Sequence, residues 1–508
     1  MALFFERPSM MRDAPSKDGV LVTSLPSSET FNIDLEKGFK PGHASYSSTS
    51  SCETFASGAS ERPLLTKRPL PEKKHGRVLR HARHTFMNVY RRLFSLAFVF
   101  NLIGLGVLYG RYRGASPPAF LADLANAASA NIMVALLVRQ DYVVNALFRL
   151  TWLIPLSAPL RLRRILAKVY EYGGVHSGCA ISSVLWFSIF TGYLTKSFIS
   201  SPSSPLRNPA ILTLTYILLL LLLMLCITAY PRFRFSSHNT FENFHRWFGW
   251  FSLALFWAEL VLFANTQVAP GSPSLGIICI KLPAFWFLLV SSLHAIYPWL
   301  RFHKLHVRPE KLSNHAIRLH FDEKVPHFVG LRISDAPLRE WHSFACIPAR
   351  EGNGGSVLIS NAGDWTKKTI AEPRPYYWVK GVPVTGVMCM ARIFSRIVVV
   401  TTGSGIGPVL AVVQDVADTK VRVIWSTPSP MATYGEGICN AVENVDPNAV
   451  IIDTRKERRP DLVTRAWDLY VREKAEAVFV ISNPKLTRKV VYGLESRGVP
   501  CFGPIWDS

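Results

Sequence analysis

From Ile211 to Tyr230 the chain runs without a charged side chain. That is about twenty residues, enough for a helix to cross the hydrocarbon core of a bilayer. Five further apolar segments flank it, at roughly 93–110, 126–156, 176–195, 247–264 and 276–300. Arg139-Gln140-Asp141 interrupts the second of these, so that segment reads as broken or as lying partly at the interface. Six such segments in the first 300 residues predict a membrane helical bundle.

The distribution of positive charge orients that bundle. The formal net charge is +22, which taken alone suggests a nucleic-acid partner. The basic residues cluster beside the apolar runs instead, as the positive-inside rule places them, so no nucleic acid is expected. With the basic N-terminal segment inside, Arg161, Arg163, Arg164, Lys168, Arg232, Arg234, Arg246, Arg301 and Lys304 fall inside as well. Arg111, Arg113, Lys196 and Arg207 run against the rule. The chain therefore reads as an integral, multi-pass membrane protein with both termini cytoplasmic, and the plasma membrane is the expected location. The eight cysteines are scattered, with no C-x-x-C pair, so neither a disulfide framework nor a cysteine zinc site is expected.

Residues 1–85 are rich in Ser, Thr, Pro and charge and end in a basic run from Lys67-Arg68 to Arg91-Arg92. Such a composition predicts a disordered tail with a basic, membrane-proximal end. Residues 86–300 form the six-span domain. Beyond Arg301 the pattern changes to short period-two runs such as His315–Phe321 and Phe328–Ile333, so 301–395 reads as a small antiparallel β-barrel. From 396 to 508 strands and helices alternate, which implies a parallel sheet with ligands at the carboxyl ends of its strands.

The first of those ends is Ile397-Val-Val-Val-Thr-Thr-Gly-Ser-Gly-Ile-Gly-Pro408. A buried strand runs through small residues directly into a helix. Glycines at 403, 405 and 407 admit positive φ and close ligand approach, and a helix start offers N–H groups to a phosphate. Thr402, Gly403, Ser404, Gly405, Ile406, Gly407 and Pro408 are thus nucleotide candidates, against the plainer reading of an ordinary strand–helix turn. The spacing is G-x-G-x-G rather than G-x-G-x-x-G. It also fails the G-x-S-x-G elbow of a hydrolase, because Ser404 follows its glycine directly.

Within the bundle, His176 opens the third segment and His245 the fifth, at the same inner depth. Facing each other they could ligate one haem iron axially. The alternative is that each is an interfacial histidine bonded to a backbone carbonyl or a lipid headgroup. His238 and His294 lie near the same face, so this pairing is not the only one available.

Six spans with histidines opening the third and fifth, followed by a nucleotide module, resemble the ferric reductase and NADPH oxidase superfamily. The likeness is nearest to its fungal TmpA-type membrane flavoprotein branch, through His238–His245 and Asp453-Thr-Arg-Lys456. Glu340-Trp-His-Ser-Phe-Ala345 resembles the family's E-W-H-P-F-T flavin motif, and Gly363-Asp-Trp-Thr-Lys-Lys368 its G-D-W-T segment. The resemblance implies a cytosolic ferredoxin-NADP reductase-like module, with an antiparallel β-barrel FAD domain and an α/β nucleotide-binding domain. Trp341, His342, Ser343, Phe344, Gly363, Trp365, Thr366 and Lys367 would lie along FAD. Trp425, Ser426, Asp453, Arg455 and Ser482 would lie at NADPH or NADH, and Trp506 would stack on the flavin. Family members carry a second pair of histidines about four turns on. Here those positions hold Ile189 and Phe190, and Ala258 and Glu259, so at most one inner haem b is expected. The family's G-P-Y-G appears as Gly381-Val-Pro-Val384.

The implied function is a membrane oxidoreductase passing electrons from NAD(P)H to FAD and on to an unknown acceptor. The alternative is a degenerate relative that serves as a membrane scaffold or signalling protein without redox activity. Thirteen residues of helix span about 20 Å, a long electron gap without an outer centre. An acceptor on the cytosolic side or within the lipid is therefore favoured over an extracellular one.

Overall fold

The computed structural model describes residues 69–113, 117–349, 354–413 and 418–504. Among these, six helices are long and apolar enough to cross a membrane: Val89–Arg111, Pro117–Leu137, Gly173–Ser200, Pro209–Thr228, His238–Asn265 and Pro283–Leu300, the first to sixth apolar helices. The third is central, packing against the first, second and fourth, while the fifth lies against the fourth and sixth. Their shared core contains Leu124, Trp186, Phe190, Leu218, Phe256 and Leu288.

One polar cluster inside this bundle is paired across helices. Asn101 Oδ1 accepts from Asn131 Nδ2 at 2.7 Å and from Trp186 Nε1 at 2.8 Å, joining the first three helices. Such bonds contribute about 1–2 kcal/mol in apolar surroundings. Asn101→Leu strands Trp186 Nε1, while Asn131 Nδ2 keeps Ala127 O, and is expected to lower the unfolding free energy by about 1 kcal/mol, read as a lower melting temperature in detergent. An unchanged melt would remove this triad from the list of bundle-stabilising contacts.

The interrupted second segment resolves into two elements. The second apolar helix ends at Leu137, and a separate amphipathic helix, Asp141–Trp152, begins at the predicted break. It does not continue the span. Its apolar face packs on the C-terminal module, where Val144 and Phe148 join a core with Met390, Phe394, Val399 and Phe479. Asn145 holds Pro383 and Thr385, and Trp152 Nε1 donates to Cys389 O at 3.1 Å. The following stretch carries Arg163, which pairs with Glu476 at 2.9 Å, and Lys168, which pairs with Glu495 at 2.8 Å. The basic loop expected on the inner side is thus a docking platform for the module.

Residues 69–86 differ from the expected disordered tail, whose first 68 residues lie outside the described ones. A short helix at Arg77–His81 runs beside the last helix of the chain. There Arg497 Nε donates to Pro71 O, Arg80 Nε to Tyr492 OH, and His84 meets Glu495. Basic side chains expected at a membrane-proximal end, Arg80 and His84, instead find partners on Pro484–Glu495, which local composition does not reveal.

Glu495 sets a pH dependence. Burial pushes its carboxyl up, but Lys168 and His84 outweigh that and hold it down at about 2. A carboxyl depressed from an ordinary 4.5 contributes its full stability above that value and loses it as pH falls toward 2. The melting temperature should therefore drop across that window, and Glu495→Gln should flatten the drop. A variant that keeps the wild-type acid limb would assign the acid sensitivity to another group.

The module has two sheets. An eight-stranded antiparallel sheet runs in the order β1-β7-β4-β5-β6-β3-β2, with β8 beside β4. Its strands are β1 His303–His306, β2 Arg308–Lys311, β3 Ala316–Phe321, β4 Val329–Ser334, β5 His342–Pro348, β6 Gly355–Ser360, β7 Tyr376–Val379 and β8 Val384–Thr385. The two terminal strands in this order, β1 and β2, are joined covalently through Val307, which brings the sheet round into a barrel. The second sheet is parallel, in the order β11-β10-β9-β12-β13. Its strands are β9 Arg396–Thr402, β10 Lys420–Thr427, β11 Val450–Asp453, β12 Ala477–Ile481 and β13 Cys501–Phe502. The last of these is a two-residue strand that the alternation of sequence patterns does not disclose.

Candidate functional site

In a parallel sheet whose order reverses between β9 and β12, the crevice outside their carboxyl ends is where ligands bind. Thr402, Gly403, Ser404 and Gly405 stand at that reversal, with Ser482 beyond β12. Thr402 Oγ1 and Ser482 Oγ hydrogen-bond across it, and Thr401 Oγ1 donates to Ile481 O at 2.9 Å. Gly403 has φ +54°, in the left-handed region. A Cβ on Gly405 would lie 2.6 Å from both Ile481 O and Thr401 Oγ1. This glycine is therefore needed for the loop to close on β12, before any ligand is considered.

Several residues expected at the nucleotide serve the loop from behind. Trp425 is fully buried, and its Nε1 donates to Gly403 O at 2.9 Å. Ile406 and Gly407 are buried, Gly407 against Leu358 of the barrel, while Pro408 is half-buried in the first turn of the helix Ile406–Val413. Ser426 is buried in β10. Asp453 Oδ1 accepts from the backbone N–H of Ser429 and of Arg455 at 2.8 and 2.9 Å, tying together the loops that follow β10 and β11. These amides hold its carboxyl below the usual range. Arg455 itself is exposed. Trp506 lies outside the described residues.

The two barrel motifs meet face to face. His342 and Phe344 lie two apart on β5 and so project from one side of the strand. Both stack on Trp365, with ring centroids 4.2 and 6.0 Å away. Ser343 projects from the other face, paired in register with Arg332 of β4. Burial lowers the His342 imidazole below its ordinary value, and its Nε2 is buried without a partner among the described residues. The Thr366 hydroxyl, expected at a diphosphate, instead accepts from the N–H of Ala362 and Gly363 at the start of the helix Asp364–Ala371. Gly363 and Lys367 are exposed there. Trp341 turns away from Trp365 toward Trp299 at the end of the sixth apolar helix. Lys380 lies between these two indoles, 4.8 and 4.3 Å from their centres. Burial, with Arg246 and Arg332 nearby, pushes its ammonium down to about 8.

The two halves of the module touch through Ser360 Oγ, which donates to Ser404 Oγ at 2.6 Å. This bond joins the end of β6, just before the Gly363 motif, to the glycine loop. Ser360 and Lys380 carry no sequence signal of their own. Their roles follow from which strand ends the fold brings together.

In the bundle, the His176 and His245 rings face each other with centroids 6.4 Å apart. A metal–imidazole bond of about 2 Å on each side, with each nitrogen about 1 Å from its ring centre, would place two imidazoles holding one iron roughly 6 Å apart. His176 Nδ1 donates to Ala135 O at 2.9 Å, the kind of bond that orients a ligating imidazole. His245 Nδ1 is buried and has no partner among the described residues. The competing histidines turn elsewhere, His294 to Val290 O and Tyr142, His238 to Phe241. At 6.4 Å the two imidazoles would be able to hold one iron between them. The neighbouring glycines have another use, since a Cβ on Gly174 or Gly178 would strike the backbone of the first helix at Tyr90 or Phe94. At the outer level, Phe187, Phe190, Phe256 and Phe263 pack ring against ring.

Comparison with known proteins adds relatives of two kinds. Residues 387–508 match the family model described as adenylate-forming reductase 03009, C-terminal domain. Adenylate-forming reductase 06235 of Coprinopsis cinerea is 43% identical over 442 residues, 86% of this chain and 42% of the relative. Adenylate-forming reductase 03009 of the same fungus is 43% identical over 440 residues, with the same coverage. The chain thus spans less than half the length of these relatives. Among solved structures, a flavohemoglobin from Malassezia yamatoensis with bound FAD and heme aligns at 12% identity and a TM-score of 0.36, covering 76% of this chain and 97% of that one. A ferredoxin NADP+ reductase from Neisseria gonorrhoeae with bound FAD and NADP aligns at 11% identity and a TM-score of 0.34, covering 40% and 98%.

Proposed function

We propose that the chain is a multi-pass membrane oxidoreductase of ferric reductase-like type that takes electrons from NAD(P)H through FAD to a one-electron acceptor. One observation carries the reading. The glycine loop at the sheet reversal is bonded through Ser404 to Ser360, at the end of the barrel strand that leads into the Gly363 motif. A nucleotide on the loop and a flavin along the His342–Trp365 rings would thus meet at one junction, as hydride transfer requires. FAD, when bound, turns a two-electron hydride donor into a source of single electrons.

The chain's own residues divide the work. Backbone N–H groups of Gly403–Gly405 and the Thr402–Ser482 hydroxyl pair hold and orient the nucleotide, and Trp425 fixes the loop from beneath. Buried, unpartnered His342 Nε2 is available to a polar edge of the flavin. Arg455 and Lys456 beyond β11 favour a 2′-phosphate, hence NADPH over NADH. His176 and His245 would hold one haem b, a one-electron carrier. The packed phenylalanines at the outer level favour an acceptor on the module side or within the lipid. On this reading both termini are cytoplasmic and the membrane is the plasma membrane. The name of the Coprinopsis relatives contains the word reductase, which accords with a reducing module in the shared segment.

A second reading, a redox-silent membrane scaffold, is favoured by the stacking of Trp365 directly on His342, which occupies the ring faces a flavin would use. Visible spectra of the detergent-purified chain separate the two. Bound flavin that bleaches under anaerobic NADPH supports the oxidoreductase. His176→Leu should then remove any Soret band while leaving the bleaching intact. If no flavin is retained after supplementation with FAD, the scaffold reading replaces it.

A further inference from the structure

Glu259 lies deep in the fifth apolar helix, fourteen residues beyond His245 in the sequence. It is 5% exposed. Its Oε1 is hydrogen-bonded to Thr215 Oγ1 of the fourth helix, and its Oε2 is buried with no partner among the described residues. The third helix presents Phe187 and Phe190 to Phe256 and Phe263 on the same side of the fifth. Trp257, on another side, is bonded to Ser292 of the sixth. Among the described residues no charged side chain is paired with Glu259.

The hydroxyl of Thr215 lies between two oxygens, Glu259 Oε1 and Ile211 O. Thr215 Oγ1 is 2.8 Å from Ile211 O. A carbonyl only accepts, and a threonine hydroxyl has one proton to give. When that proton goes to Ile211 O, the bond to Glu259 forms only if the carboxyl is the donor. A neutral Glu259 pairs its Oε1 with the Thr215 hydroxyl and leaves only an uncharged Oε2 without a partner among the described residues, whereas an ionised one would put an uncompensated charge among phenylalanines.

Glu259 also terminates a stripe. Seven residues are close to two helical turns, so 245, 252 and 259 fall on one face, about 10 Å apart along the axis. Ser252 is 3% exposed, and neither its hydroxyl nor His245 Nδ1 has a partner among the described residues. Elsewhere in the bundle Asn101, Asn131, Trp186, Thr191 and Ser182 all have partners. Unsatisfied polar atoms are costly in apolar surroundings, and here they recur along one face, starting from the end where Arg246 touches the module at Leu338 O.

We propose that Glu259 and Thr215 form a proton-binding site of the helical domain, loaded from the module-facing end along the Ser252 face. In unloading, the Glu259 O–H bond breaks and its proton passes to a water molecule entering along the Ser252 face, which carries it to solvent at the module-facing end. The Thr215 hydroxyl then swings from Ile211 O to the new carboxylate. Loading reverses both steps, and no electron is exchanged. The proposal rests on the membrane reading of the helices and not on FAD or haem, so it stands or falls separately from the redox function.

Infrared spectroscopy of the full chain in lipid nanodiscs tests it. The wild-type minus Glu259→Gln spectrum at pH 7 should contain a protonated-carboxyl carbonyl band. That band should shift in D2O within minutes, and Ser252→Val should slow the exchange at least tenfold. Glutamine is nearly isosteric, and Thr215→Val, which removes the hydrogen-bond partner, should move the same band should Glu259→Gln not fold. Carboxylate bands in place of the carbonyl band, or a band that never exchanges, would overturn the proposal. Exchange unaffected by Ser252→Val would overturn the route.

Discussion

Replacing Arg163 with methionine should loosen the module from the helical bundle, with a loss of about 3–5 kcal/mol, the usual consequence of stranding one partner of a buried ion pair. The Arg163 guanidinium is 5% exposed. It grips both oxygens of Glu476, at 2.9 and 3.1 Å, and donates to Ile393 O at 2.9 Å. Glu476 also accepts from Ser395 N at 2.7 Å, and Arg164 holds its backbone carbonyl. Burial pushes the Glu476 carboxyl up, but Arg163 and the Ser395 amide more than offset this and leave it depressed. The pair therefore contributes above the ordinary carboxylate range and weakens as pH falls through the depressed value. In Arg163→Met the half-buried carboxylate keeps only the Ser395 amide and the more distant charge of Arg396. Thermal unfolding and protease sensitivity of the 153–172 linker report the loss. The double variant Arg163→Met, Glu476→Leu should recover much of it, because replacing both charges removes the stranded ion. A double variant no better than the single would locate the stabilisation in packing rather than in charge.

That joint shows what the sequence can and cannot disclose. Charge counting assigns Arg161, Arg163, Arg164 and Lys168 to the inner side, and in the structure the module does pack at that end of the bundle. It does not foretell that Arg163 and Lys168 are spent on Glu476 and Glu495, more than 300 residues away. Periodicity foretells the helices, the antiparallel barrel and the alternating sheet, because those patterns are local. The break at Arg139-Gln140-Asp141 is legible for the same reason, but the place of the helix Asp141–Trp152 beyond it is not. Its apolar residues serve the module core, and a one-dimensional hydropathy pattern cannot tell a bilayer from a protein surface.

The same limit applies within the site. The glycine loop, the His342 strand and the Gly363 turn are recognisable as short motifs. What each side chain is then used for depends on partners from other elements. Trp425 goes under the loop to Gly403 O, Thr366 caps its own helix, and Asp453 ties two loops together. Ser360 and Lys380, unremarkable in the sequence, occupy the two junctions.

Gly405→Val is expected to have the largest effect on turnover. The added Cβ would meet two fixed atoms, Ile481 O and Thr401 Oγ1, each at 2.6 Å. Neither is the free end of a flexible side chain, since Ile481 O is backbone and Thr401 Oγ1 is bonded to it. The loop must lift from β12, carrying Ser404 away from Ser360 and opening the junction between nucleotide and flavin. A displacement of about 1 Å at a reacting pair costs on the order of 10²-fold in rate. NADPH-driven flavin bleaching should slow by at least that factor, while dithionite, which needs no nucleotide site, reduces the flavin at the wild-type rate. Gly437→Ala serves as the control, because a Cβ there meets nothing within 4 Å. If Gly405→Val bleaches as fast as wild type, hydride does not pass at this loop. The parallel sheet would then be architecture without the nucleotide function proposed for it.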